Sequence, residues 1–64
     1  MNRAKALAAV DDAYAASFNH LFETLVTNLT VDDKDASAKF NAGIALRDEA
    51  HAIASAAVEK IFTE

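Results

Sequence analysis

From Arg3 onward the large apolar residues fall at Leu7, Val10, Tyr14, Phe18, Leu21, Leu25 and Leu29, each three or four positions after the last. That interval is the period of an α-helix and predicts one over about residues 3–29. Phe22 and Val26 widen the stripe on one flank, and Lys5, Asp12, Asn19 and Glu23 mark the solvated side. The pattern breaks at "NLTVDDKDA". Thr30 with Asp33, or Asp32 with Asp35, offers side-chain acceptors for the orphan amides of a new helix, and three aspartates in one turn suit the positive end of its dipole. A turn over about residues 30–32 and a second helix over about 33–62 follow. Asp35 and Lys39, four apart with the acid first, are expected to pair along its first turns.

The second helix carries Ala36, Phe40, Ile44, Ala54, Val58 and Ile61 on its main face. Leu46, Ile53 and Ala57 form a second apolar row, and Asn41, Asp48, Ser55 and Glu59 a polar side. A helix of about 28 residues is roughly 42 Å long, and so short a turn forces two of them antiparallel. Because a lone hairpin leaves Phe22, Val26, Leu46 and Ile53 wet, the pattern predicts an all-α fold in which two hairpins dimerise into a four-helix bundle. Gly43, alone in mid-helix, fits a close helix crossing, since without one it costs about 1 kcal/mol against alanine.

Composition sharpens this picture. Sixteen of 64 residues are alanine, there is one glycine and no proline, and helix is favoured throughout. Chains of this size bury little surface, and with no cysteine to supply a disulfide or a thiolate metal site, self-association is the remaining support. The formal charge of −4 and only six Lys and Arg make nucleic acid an unlikely partner. The apolar run "ALAAV" ends at Asp11 and is too short for a secretory leader, and no stretch is long enough to span a bilayer, so a cytoplasmic protein is expected.

Candidate chemistry concentrates in "IALRDEAHAIA", where Arg47 and His51 share one helical face. A turn centred near residue 31 brings His51 level with Asp11, and Arg47 level with Ala15 beside Tyr14. Asp11 shares a row with Leu7, Phe18 and Leu25 and is expected to point toward the seam. Asp11, Tyr14, Arg47 and His51 thus read as a structural polar cluster that fixes register, because charges near a core persist when paired. His20 with Glu23 and Asp48 with His51 have the three-residue spacing of helical metal ligands, but the first pair points away from the apolar stripe, and no metal or other cofactor is expected. Ser17, Ser37 and Ser55 read as surface serines, and no catalytic constellation forms. The expected function is therefore non-enzymatic: a small bundle acting on an unidentified protein partner, as an adaptor, an antitoxin-like factor or a phage-type inhibitor.

In length and topology, though in no motif, the predicted architecture resembles the plasmid-borne RNA-binding regulators of the Rop type. That resemblance implies RNA or DNA binding through an exposed basic and polar face as the alternative function. On this chain the corresponding face of the first helix mixes Lys5 with Asp12 and Glu23. A bundle holding a metal or small ligand is a third possibility.

Overall fold

The computed structural model describes residues 1–62. Two helices, α1 (Arg3–Thr30) and α2 (Ala36–Ile61), fold back on one another as an antiparallel hairpin. Helix α1 begins at Arg3 because Asn2 caps it: the Asn2 Oδ1 accepts the backbone N–H of Lys5 at 2.8 Å, satisfying one orphan donor of the first turn.

The connection departs from the sequence expectation. It is longer, and α2 starts at Ala36 rather than near residue 33. Thr30 does not cap α2; its hydroxyl donates to the Val26 carbonyl and stays within α1. The end of α1 is closed by its own carbonyls, with Asp32 N–H donating to Leu29 O at 3.1 Å and Asp33 N–H to Asn28 O at 2.9 Å. Those two bonds are the signature of a Schellman turn, which needs a left-handed residue just past the helix. Asp32 takes that position with φ of 57°. Asp33 then folds back, its Oδ1 accepting the Asp35 N–H at 2.9 Å and its Oδ2 the Lys39 ammonium at 2.6 Å. Lys39 thus pairs with Asp33 and not with Asp35. The Lys39 ammonium, helped by the Asp35 N–H, holds the Asp33 carboxyl below the usual carboxylate range, and the same bond raises the Lys39 pKa.

The seam between the helices follows three- and four-residue steps on both α1 and α2. Leu7, Val10, Tyr14, Ser17, Leu21, Leu25 and Asn28 of α1 face Ala36, Phe40, Arg47, His51, Ala54 and Val58 of α2. Such a seam keeps two helices in contact along their length. It is thin: among the described residues only Ala6, Leu21 and Ala36 are buried. Gly43 sits where Leu21 crosses α2, and a Cβ there would lie 2.5 Å from the Leu21 Cδ1. The glycine is thus explained by the close crossing its position suggests. At the open end Arg3 grips Glu59 with bonds of 2.6–2.9 Å, an exposed pair that contributes little to stability.

Three large residues on the predicted main stripes are not in the seam. Phe18 is 37% exposed, touching Phe40 only edge-on at 6.1 Å between ring centres, and Leu29 and Ile61 are largely exposed. A four-residue step from Tyr14 to Phe18 rotates past the contact line, whereas the three-residue step to Ser17 stays on it. No helix among the described residues is long and apolar enough to cross a membrane.

Candidate functional site

The register of the hairpin decides which polar side chains meet. His51 Nε2 and Asp11 Oδ1 lie 2.8 Å apart, with the imidazole donating. Tyr14 packs its ring edge-on against the same imidazole at 5.0 Å. Arg47 turns the other way: its Nε donates to Ser17 Oγ at 2.6 Å and its Nη1 to the Gly43 carbonyl at 3.3 Å. The four expected residues therefore share one stretch of the seam but form two separate contacts. Asp11 also differs from its expected orientation. It reaches His51 from the edge of the seam with its side chain 70% exposed, so the pair is open to water on the acid's side.

Ser17 is the functional neighbour that a search for large apolar residues passes over. It lies three before His20 and three after Tyr14, on the seam row, and is half-buried rather than on the surface. Following the three-four alternation from Val10 through Tyr14 would have placed it opposite Arg47. Its hydroxyl is occupied by the guanidinium and does not contact His51. That arrangement places a polar contact across the seam and does not pair the Ser17 hydroxyl with the imidazole as a nucleophile with its base.

Between the two helices, above these contacts, runs an open groove of about 240 Å³. Val10, Ala13, Tyr14 and Ser17 line it from α1, and Arg47, Ala50, His51 and Ala54 from α2. Ala13, Ala50 and Ala54 carry only methyl side chains, which leave the groove open between the helices. His20, Glu23 and Asp48 are all exposed. Among the described residues no group of three or more His, Cys, Asp or Glu side chains is placed to hold a metal ion.

No family model, curated protein or solved structure matches this chain.

The geometry of the hairpin therefore carries the reading. At about 100° per residue, the groove-lining positions Ala13, Ser17, Ala50 and Ala54 point to one side of the two-helix layer, and Leu46 and Ile53 flank Ala50 on that side. Asp11 and Phe18 lie on the other side of the seam, as their contacts with His51 and Phe40 require, and Phe22, Val26 and Leu29 continue their row. Phe22 and Leu46, which the sequence pattern treats as one surplus surface, thus lie on opposite faces. The groove face carries Leu46 and Ile53, 66% and 64% exposed, amid small residues. The opposite face carries the phenylalanines, with Asp11 and Asp48 exposed beside them, while Asp12 and Glu23 are exposed on the outer edge of α1.

Proposed function

We propose that this protein is a non-enzymatic interaction protein: a hairpin that self-associates into a four-helix bundle and works by binding another protein. The observation that carries the reading is surface area. A compact monomer of 6.8 kDa would expose about 4000 Å². This hairpin exposes 4702 Å², an excess of roughly 700 Å² that is close to the ~800 Å² each partner contributes to a standard interface. The excess is not polar. Phe22, Val26 and Leu29 on one face and Leu46 and Ile53 on the other are all about half or more exposed, and exposed apolar surface of that kind marks a binding site in a folded protein.

Shape supports the same conclusion. The Cα radius of gyration is 14.9 Å against about 11 Å for a compact chain of this length, so the hairpin is a layer whose two faces both await cover. One second copy covers one face. The other, which carries the carboxylates of Asp11 and Asp48, suits a protein partner that presents apolar residues flanked by Lys or Arg. The same carboxylates repel a phosphate backbone.

Sedimentation equilibrium over a hundredfold concentration range tests the reading. The expected mass is twice 6.8 kDa. A folded monomer at every concentration would overturn it.

A further inference from the structure

We propose that the second copy of this chain seats on the groove face, turned about a two-fold axis parallel to the helices, so that α2 of each copy lies over α1 of the other. The inference rests on the self-association proposed above and states which face and which pairing it uses.

The two faces differ in what they do when placed against themselves. Stacking the phenylalanine face on a second copy brings the exposed carboxylates of Asp11 and Asp48 toward their counterparts, and like charges across an interface cost affinity. The groove face differs. On that side, between Ala6 and Thr27, α1 brings only Glu23, at its outer edge, and α2 brings Lys39 and Lys60 toward its ends and Glu49 at its outer edge beside Leu46 and Ile53, so the charges are of both signs and peripheral. It is also the face with a cavity to fill, about 240 Å³ of it, and a cavity between apolar walls is contact energy not yet made.

Two symmetric stackings of this face are possible, and side-chain size separates them. If like helices overlie, Leu46 meets the bulky Ile53 of the second copy while the alanines of α1 meet alanines, so the layers touch at one edge and gape at the other. Lys39 then also lies over Lys60. If unlike helices overlie, each large residue meets small ones. Asp11 opposite His51 and Ser17 opposite Arg47 fix the height of every residue. At those heights Leu46 of the second copy rests over Ser17 and Ala13, and Ile53 over Val10 and Ala9. Large side chains then enter gaps left by small ones, the packing that interiors require. Every neighbouring helix pair is antiparallel.

The chain lacks cysteine, which makes disulfide mapping direct. Ala13 and Ala50 are exposed, lie at one height and point out of the groove face, so either accepts a cysteine without disturbing the seam. Ala13→Cys and Ala50→Cys chains are unfolded together, refolded and oxidised. The expected product is a cross-linked dimer of one Ala13→Cys with one Ala50→Cys chain, in at least tenfold excess over the product of either variant alone. Phe22→Cys alone should stay uncross-linked. Efficient linking of Ala50→Cys to itself would overturn the proposed pairing, and linking of Phe22→Cys to itself would overturn the proposed face, while self-association stands in both cases. If no variant links and the unmodified chain sediments as a monomer, self-association itself fails.

Discussion

Leu46→Ala separates a wet surface from a covered one by the size of its effect and its dependence on protein concentration. In the isolated hairpin Leu46 is 66% exposed, so about two-thirds of the roughly 1.5–3 kcal/mol available from burying a leucine side chain has not been gained. Truncation there removes little packing, and alanine is the better helix former by a few tenths of a kcal/mol. A hairpin standing alone should therefore lose less than about 1 kcal/mol, the buried third of the side chain less the helix-propensity gain. Under a second copy the remaining two-thirds is buried, and its loss amounts to about 1–2 kcal/mol per copy, about 2–4 kcal/mol per dimer, before any cavity is counted. The assay is urea unfolding followed by circular dichroism at several protein concentrations, with the unmodified chain and Phe22→Ala as references. Since dimer stability depends on concentration, the midpoint of the unmodified chain should rise with concentration, and that of Leu46→Ala should fall well below it. A Leu46→Ala loss of less than about 1 kcal/mol that is the same at all concentrations would refute the reasoning.

Three further expectations concern the hairpin itself. Replacing Asp32, whose φ is 57°, with glycine should raise stability by about 0.5–1 kcal/mol, because a left-handed residue at a helix end favours a side chain without Cβ; thermal unfolding checks it. In double-mutant cycles read by urea unfolding, Asp11→Ala and His51→Ala should couple by about 0.2–1 kcal/mol across their partly exposed contact. Asp11→Ala and Arg47→Ala, which share no bond, should add to within about 0.5 kcal/mol. The Asp33–Lys39 pair makes a two-sided pH prediction. Asp33 is held below its ordinary pKa, so its contribution is full above the ordinary carboxylate value near about 4 and is lost as pH falls through the lowered one. The raised pKa of Lys39 makes its contribution full below about 10 and lost as pH rises through the raised value. Asp33→Asn should flatten the stability profile at both ends, and an unchanged profile would dismiss the pair.

What the sequence disclosed follows from which interactions are periodic. The long spacing pattern from Leu7 to Leu25 reports helix and seam because one face must leave water. The levels of Asp11 and His51 follow once the turn is located, since rigid helices transmit register over their whole length. The turn itself was less legible. Thr30, Asp32, Asp33 and Asp35 all have capping chemistry, and the choice among them depends on the path of the backbone after Val31, which periodicity does not encode. The division of Arg47 from the Asp11–His51 pair was hidden for another reason. Arg47 is long enough to reach to either side of its own helix, and only the half-buried Ser17 hydroxyl determines which.

The surplus apolar residues hold the larger lesson, because their number predicts a partner while their direction predicts how many. A two-helix layer has two faces, and Phe22 and Leu46 lie on different ones. A four-helix bundle closed by one two-fold buries one face and leaves the other as its exterior. If both faces served self-association, the contact would join unlike surfaces, and such heterologous contacts continue into rings or fibres unless the geometry closes. The carboxylates around the phenylalanines work against that outcome: Asp11 is exposed beside Phe18, and a charge at the edge of an apolar patch keeps identical copies apart while leaving the patch open to a basic partner. In the proposed assembly, the acidity that argues against nucleic acid would have a constructive part, separating the face that binds a second copy from the face open to another protein.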